Sequence, residues 1–366
     1  AGRAVTIQHP LQPFDSRYFE PSAEPVHPRL TSYDPIAFAG ARAALEPPVQ
    51  EAGRHHLDPL PPPDLSGGLG LDDLTAFFTH PVRALLKQRA GLRLGDSPAV
   101  SESIPIALDH LQRWQIGTRM LGELRAGREA EELTVAEWLR GSVPPAELGR
   151  AALTSILNDA QKTLKVIPAA AAEPSVVHDL HSLVPVADGA GVWLTGRLAT
   201  QGDTLLAVEF SGLQPRHRLV AWLRLLALAA TEPGPWRAVV IGRGYASTLT
   251  APGPDTARAL LGRYVSLYSL GLTRPLPATP RVCEAWASLR ARGVDPKGSP
   301  GELKRSWEWD RDASWQVFFA LIADVLEPRT DQVRLPAPTP GEALLVGALA
   351  ELIWAPLLAH EQRRGR

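Results

Sequence analysis

Hydrophobic residues change their spacing near residue 175. Upstream, between Leu71 and Leu86, they recur every three or four positions, which is the period of one helix face. Downstream, short apolar runs are bounded by Gly, Pro and Asp, which is typical of strands. Strands are predicted at Val176–Val186, Val192–Leu198, Leu205–Phe210 and Trp236–Ile241. The pattern predicts a helical region followed by an α/β domain.

Helix boundaries follow from proline and glycine. Proline is tolerated in the first turn of a helix but not in its interior, so Thr79-His80-Pro81 ends one helix and begins the next, and Gly91 ends the second. Arg216–Ala230 is apolar on most faces, which predicts a buried helix between the third and fourth strands. Further helices are predicted at Ile106–Leu124, Thr134–Leu139, Pro145–Leu164, Asp255–Leu270 and Trp315–Val325, with an irregular stretch between the last two.

Residues 1–64 are rich in proline and lack either periodicity. Proline fixes φ and removes a donor, so the stretch is interpreted as an extended arm laid over other surfaces, or as disordered chain. Aromatic residues favour the packed arm, namely Phe14, Tyr18, Phe19, Tyr33 and Phe38. The predicted organisation is an arm over 1–64, a helical subdomain over 65–144 and an α/β domain over 145–366.

Composition narrows the possible chemistry. The net charge is −1, so any contact with DNA has to come from local patches. Cys283 is the single cysteine, which excludes a disulfide within the chain and a cysteine-based zinc or iron–sulfur site, and which suits a reducing cytoplasm. No signal peptide is recognised, and the apolar C-terminal run from 343 to 358 is interrupted by Glu351 and Pro356, which suits a docking helix better than a membrane span. We therefore expect a soluble, cytoplasmic protein with no membrane contact.

The predicted order α-β-β-β-α-β, counted from the Pro145–Leu164 helix, is the core order of metal-dependent nucleases of the PD-(D/E)xK class. In that class the second strand presents an acidic residue and the third presents an acid-x-Lys pair. Here Gly196-Arg197-Leu198 is followed by Ala199, and Glu209-Phe210 is followed by Ser211. One carboxylate therefore remains of three catalytic groups.

Phosphodiester hydrolysis by this fold needs two carboxylates to hold Mg²⁺ and a cation, usually lysine, beside the attacking water. The sequence has no lysine between Lys165 and Lys297, and the pKa of arginine is too high for a general base. We expect no catalytic residues and no metal, with Ala199, Glu209 and Ser211 as a vestigial site. The rival interpretation is an active Mg²⁺-dependent nuclease with a migrated lysine function, for which Arg197 or Arg218 is the nearest cation.

Two other groups of residues carry weaker hypotheses. His178 and His181 fall on opposite faces of a strand, which argues against a metal clip. Arginine forks suit phosphate oxygens, so four arginines are candidate DNA contacts, although a solvated surface explains them as well: Arg216, Arg218, Arg237 and Arg243. With Trp307, Trp309 and Trp315, these arginines leave open a module that binds single-stranded DNA by itself.

Six segments, taken in order, resemble the C-terminal part of the RecC family, the gamma subunit of exodeoxyribonuclease V. They are HPLQPFDSRYF, YDPIAFAGARAAL, LTAFFTHPVRALLKQRAGLRL, ALDHLQRWQIGTRML, VWLTGRLATQGDTLLAVEFSG and GVDPKGSPGELKRSWEWD. The resemblance implies an inactive nuclease-like domain that follows two helicase-like domains, with the arm over 1–64 leading from them.

The same resemblance implies a role in a bacterial helicase–nuclease that repairs double-strand breaks by homologous recombination. The chain would help to bind RecB-like and RecD-like subunits and to split and guide the DNA strands at a double-stranded end. It would carry no cofactor of its own, since Mg²⁺ and ATP belong to the partner subunits. The related AddB nucleases have an iron–sulfur cysteine before the proline of the helix–Pro–helix motif, where this chain has His80.

Overall fold

A computed structural model of the chain describes residues 9–19, 31–45, 58–94, 107–167, 174–186, 189 and 191–365. Contacts between Cα atoms divide the chain into two units, residues 1–56 and 57–366. The division at 64 and 144 that the sequence suggests stays a prediction.

The first unit contains a helix that the sequence interpretation left out. Helix α1 spans Pro35–Leu45. The Oδ1 of Asp34 accepts hydrogen bonds from the N–H groups of Ile36, at 2.8 Å, and Ala37, at 3.3 Å, which caps the first turn. The prediction of an arm without helix is therefore wrong at α1, where this cap and an alanine-rich sequence outweigh the neighbouring prolines. Residues 1–8, 20–30 and 46–57 of the predicted arm lie outside the described residues.

The second unit begins with a short strand and two helices, β1 at Leu69–Gly70, α2 at Leu71–Thr79 and α3 at Pro81–Arg89. The predicted division at Pro81 is confirmed. The Nδ1 of His80 accepts a hydrogen bond from the N–H of Arg83 at 3.0 Å, so His80 caps α3. Gly91, just beyond the end of α3, has the positive φ of +66° that glycine adopts at low cost.

Three more helices form a small core of their own: α4 at His110–Arg125, α5 at Ala130–Leu139 and α6 at Ala146–Leu164. They match the predicted helices, except that Ile106 lies outside the described residues. The ring of Phe210 is part of this core. A Cβ at Gly117 would lie 2.2–2.4 Å from that ring, so glycine is what lets α4 approach it. The core thereby ties the helices to the segment that carries Glu209.

Across the described ranges, the sheet has seven strands. All four predicted strands are present, as β2 at Ser175–Pro185, β3 at Gly191–Gln201, β4 at Thr204–Val208 and β5 at Arg237–Gly242, and the sequence interpretation missed β1, β6 at Tyr245–Thr250 and β7 at Glu361–Gly365. Strand β2 pairs with β3 along its whole length, β4 pairs in parallel with β5, and β6 and β7 continue the sheet antiparallel. A mixed α/β fold is confirmed.

The register of β2 places its two histidines on opposite faces, as predicted. His178 is buried, and its ring nitrogens contact Glu232 at 3.0 Å and Thr200 at 2.9 Å. His181 is exposed and stacks on Trp193 with ring centroids 4.1 Å apart. Both rings have partners within the fold.

Helix α7 (Pro215–Thr231) carries the parallel crossover from β4 to β5, and α8 spans Pro254–Thr273. The prediction of an irregular stretch after α8 is wrong, since it contains α9 (Pro280–Ala291) and α10 (Pro300–Asp310). Each of these helices begins at a proline, so the residues that suggested irregular chain are helix starts. The single helix predicted at Trp315–Val325 is also wrong.

That segment forms two short helices, α11 at Ala313–Gln316 and α12 at Ile322–Leu326. The carboxylate of Asp312 accepts from the N–H groups of Ser314 and Trp315 and starts α11. Asp324 accepts from the N–H groups of Ala320 and Leu321 and starts α12. The apolar spacing predicted one continuous helix, but these two local caps start two separate helices instead.

The main core lies where α7, α8, α9 and the last helix, α13 at Leu345–Ala359, pack together and against the sheet. A chain of hydrogen bonds runs through it, from the Trp222 indole to the Tyr264 hydroxyl at 3.1 Å and on to the Ile353 carbonyl at 2.6 Å. Helix α13 thus docks within this chain's own core, and Cys283 is a buried core thiol. Within the part of the chain that the structure describes, no helix has both the length and the apolarity to cross a membrane.

Candidate functional site: a cleft at the fork of β3 and β4

Strands β3 and β4 are joined by a tight turn and then separate. Gly202 in the turn has φ +56°, and the only paired positions of the two strands are Gln201 and Thr204. Beyond them β4 follows β5, while β1 occupies the free edge of β3 at Leu194 and Thr195. A cleft of about 670 Å³ opens in this fork, with α2 and α7 as its other walls.

Two of the three predicted vestigial residues meet in the cleft. Ala199 on β3 and Glu209 just beyond β4 both line it. Glu209 donates its N–H to the Ile241 carbonyl at 2.8 Å, which extends the ladder, and Phe210 is buried in the helical core. Ser211 is not among the lining residues, and its hydroxyl donates to the Gly212 carbonyl at 3.2 Å.

Burial shifts the pKa values of the two titratable side chains Glu209 and His217 in the cleft. It raises the pKa of Glu209, and the charge of Arg216 offsets part of that rise. No described side chain forms a hydrogen bond with the Glu209 carboxylate. Burial, together with the charges of Arg216 and Arg281, lowers the pKa of His217 to about 4. His217 is therefore neutral near pH 7, and the cations of the cleft are guanidinium groups.

Three arginines line the cleft: Arg197, Arg216 and Arg224. Arg197 pairs with Asp179 at 2.7 Å, and Arg224 lies 3.7 Å from Asp72. Arg216 is exposed and forms no ion pair with a carboxylate of the described residues. Arg216, Val220 and Arg224 are four residues apart on α7, which places them on one helix face. That spacing was the sequence signal for Arg224, which the sequence interpretation did not include as a contact.

The other three candidate DNA contacts lie elsewhere. Arg218 is 3% exposed, and its guanidinium donates twice to Glu361, at 2.6 Å each, and once to Glu284, at 3.1 Å. Arg218 is therefore a structural cation, and neither a phosphate contact nor a migrated catalytic cation fits its position. Arg237 pairs with Asp203 at 2.8 Å and Arg243 with Asp159 at 3.4 Å. Neither lines the cleft.

The three tryptophans that suggested base stacking also differ in their exposure. Trp307 and Trp315 are 3% and 1% exposed and belong to the core. Trp309 is 77% exposed, and the Arg281 guanidinium lies 5.4 Å from its ring centroid. Core packing accounts for two of the three residues that suggested base stacking.

The cleft has few groups that suit a metal ion. Its carboxylates are Glu209 and Asp72, and the Asp72 side chain is 92% exposed at the start of α2. Among the residues that the structure describes, no lysine lines the cleft. Over the described ranges, no three residues among His, Cys, Asp and Glu are grouped so that they could hold a metal. The arrangement offers guanidinium groups for an anion and lacks a paired set of acids.

The strand order of the sheet, the crossover helix α7 and the cleft together define the class of protein. It is an α/β domain in which arginines line the fork between two strands. The chain belongs to the RecC family: the family model of the RecC C-terminal domain matches residues 67–292. The predicted resemblance is thereby confirmed.

Curated relatives extend the match over nearly the whole chain. The RecBCD enzyme subunit RecC of Mycobacterium tuberculosis is 33% identical over 371 residues, which cover 98% of this chain and 33% of that protein. The same subunit of Mycolicibacterium smegmatis is 34% identical over 381 residues, with the same coverage. The Escherichia coli subunit is 26% identical over 289 residues, or 77% of this chain and 24% of that protein. The chain spans about a third of the length of the mycobacterial relatives it matches.

Proposed function

We propose that the chain is the non-catalytic C-terminal part of a RecC-type subunit in an ATP-dependent helicase–nuclease that repairs double-strand breaks. It helps to hold RecB-like and RecD-like subunits and to guide the separated strands. The relatives' names support this assembly, because each is a RecC subunit of a RecBCD enzyme. Energy and bond cleavage come from the partner subunits, which hold ATP and Mg²⁺.

The domain from α6 onward is, in this proposal, an inactive core of the PD-(D/E)xK type, preceded by a helical region and an arm. The order α6-β2-β3-β4-α7-β5 and the fork between β3 and β4 support it. The acidic position of the first strand of the fork is Ala199, and the lysine position after Glu209-Phe210 is Ser211.

The observation that carries the proposal is the isolation of Glu209. Mg²⁺ takes hard oxygen ligands in strict geometry, and hydrolysis by this class needs two such carboxylates and a lysine. The cleft places Glu209 with Ala199 and Arg216, so among the described residues neither a second carboxylate from the strands of the fork nor a lysine accompanies it. The residues present do not fit a magnesium ion.

The same cleft is suited to bind a phosphodiester without hydrolysing it. Guanidinium groups bind phosphate oxygens in a bidentate manner and stay charged at all relevant pH values. Arg216 is exposed, without a carboxylate partner among the described residues, and lines the cleft beside Arg197 and Arg224. A strand held there is guided by charge and shape, and its bonds stay intact because no base activates water.

A nuclease assay tests this function. The chain is incubated with single-stranded DNA or with linear double-stranded DNA, in the presence of Mg²⁺ or Mn²⁺. A Glu209→Ala variant is assayed in parallel. We expect no cleavage by either protein above the level without protein. Cleavage that Glu209→Ala abolishes would mean that the site holds metal, and the non-catalytic function would be abandoned. Co-purification of the chain with RecB-like and RecD-like subunits then tests the assembly role.

A further inference from the structure

Helices α9 and α13 enclose a second cavity, which shares no lining residue with the cleft. Its volume is about 570 Å³, within the range of ligand clefts in proteins, roughly 300–1,000 Å³. We call it the α9–α13 groove. The residues that matter to it are Trp286, Arg290, Glu342, Glu351, Ala355 and Leu358.

Small residues keep the groove open. Four alanines line it, Ala287 and Ala291 on α9 and Ala355 and Ala359 on α13. Gly347, near the start of α13, has a specific reason to be glycine: a Cβ there would lie 2.2 Å from the Oε2 of Glu342. The lining of the groove therefore combines small apolar residues with the carboxylate of Glu342.

That carboxylate is shielded from water. The Glu342 side chain is 8% exposed, and its Oε1 accepts from the Trp286 indole at 3.2 Å and from the Arg290 Nε at 2.7 Å. Arg290 also lies 3.7 Å from Asp295. Two carboxylates thus share the one guanidinium of this cluster.

A third carboxylate, Glu351, lines the groove without such a partner. It forms no hydrogen bond or ion pair with any side chain in the described parts of the chain. Burial and the negative charge of Glu342 raise the pKa of Glu351, and the charge of Arg290 offsets part of the rise. The groove therefore combines apolar walls with an excess of negative charge.

We infer that the α9–α13 groove receives a lysine or arginine side chain of a partner protein. The cationic head lies between Glu351 and Glu342, and the methylene stem packs on Ala355 and Leu358. Long basic side chains bury their stems on apolar surface while the head stays solvated or paired. An anion is repelled by Glu351, which has no partner among the described residues, and a purely apolar group leaves the Glu351 carboxylate unpaired. The inference is independent of the function proposed for the cleft.

The test uses the full chain and defined probes. N-acetyl-arginine N-methylamide is titrated while the indole N–H signal of Trp286 is followed by NMR, with a Trp286→Phe variant to assign it. N-acetyl-norleucine N-methylamide, which keeps the stem and lacks the charge, is titrated in parallel. We expect a saturable shift with the arginine probe and an affinity about fivefold higher than that of the norleucine probe.

Two variants make the test specific. Glu351→Gln removes the unpaired charge and is expected to weaken the arginine probe about fivefold. Glu308→Gln, the same change at an exposed glutamate of α10, is expected to leave the affinity unchanged. Equal affinity for the norleucine probe, or no saturation at tens of millimolar, would overturn the inference. Tighter binding of spermidine than of the arginine probe would also overturn it, because it would assign the groove to a free polyamine.

Discussion

At the scale of single residues, two arginines of α7 that are two positions apart have opposite environments. Arg218 is buried between Glu284 and Glu361, and its guanidinium lies 5.4 Å from the Trp354 ring centroid. Arg216 is exposed at the cleft. A helix turns by about 100° per residue, so two positions move a side chain from the core to the opposite face. The surrounding acids, and not the residue type, decide which arginine is structural.

Arg218→Met removes one of the two cations that the carboxylates of Glu284 and Glu361 share, because Arg363 pairs with the same carboxylates at 2.7 Å and 2.9 Å. Removing one partner of a buried ion pair costs about 3–5 kcal/mol, and Arg363 keeps both carboxylates partly paired, so we expect the free energy of unfolding to fall by about 3 kcal/mol. Urea unfolding followed by circular dichroism measures it. Arg216→Met on the same helix is the control and should change the free energy by less than about 0.5 kcal/mol. Equal losses in the two variants would show that the cluster has no special role.

At the scale of elements, Asp312 connects the start of α3 to the start of α11. Its carboxylate contacts the His80 Nε2 at 3.0 Å and pairs with Arg83, while it accepts from the Ser314 and Trp315 N–H groups. Burial acts to raise the pKa of Asp312. The hydrogen bonds from His80 and the Trp315 N–H, and the charges of His80 and Arg83, outweigh it and lower the pKa to about 2.

Asp312→Asn should therefore destabilise the fold in a pH-dependent way. The pKa in the folded state is below the usual 3.8, so ionised Asp312 stabilises the fold above about pH 4, and the contribution is lost as the pH falls towards 2. We expect a loss of about 2 kcal/mol near neutral pH. Urea unfolding of both proteins at decreasing pH should show the difference shrinking below about pH 4.

A matched control separates this linkage from a general effect of removing a charge. The Asp331 side chain is 75% exposed, so Asp331→Asn should have little effect at any pH. A constant difference between wild type and Asp312→Asn across the acid range would contradict the role given to the carboxylate charge.

At the scale of the whole molecule, charge is balanced and its distribution is uneven. The net charge is −1, yet three guanidinium groups line one cleft. Binding of DNA by the chain alone should therefore be weak and confined to a few phosphates. Tight binding is expected only in the assembly proposed above, since this chain spans about a third of the length of its mycobacterial relatives.

Salt dependence measures that footprint. For about three phosphate contacts with single-stranded DNA, the slope of log K against log salt is about −2, and losing one contact reduces its magnitude by about 0.7. Arg216→Gln should show this reduction in fluorescence anisotropy titrations, whereas Arg128→Gln, 63% exposed and outside the cleft, should keep the wild-type slope. The cleft would lose its place in DNA binding if the two variants gave the same slope.

The sequence by itself determined the features that depend on neighbouring residues. The strands from β2 to β5, helix α7 and the break at Pro81 follow from local period, caps and proline geometry, and they are present as predicted. The assignment of Ala199 and Ser211 to lost nuclease positions also comes from one short segment, and it stays a prediction. Where a local signal was ambiguous, as for the prolines that begin α9 and α10, the sequence interpretation failed.

The tertiary structure alone decided which distant residues meet. Glu361 lies beside Arg218 only because β7 pairs with the edge of β6. Strand β7 is five residues long and polar, so it has no apolar pattern from which a strand could be predicted. The arginines of the cleft come from β3 and α7, and the carboxylates of the groove from α13 and the loop before it. These contacts depend on packing between elements that are far apart in the chain. The spacing of residues along the sequence therefore does not predict them.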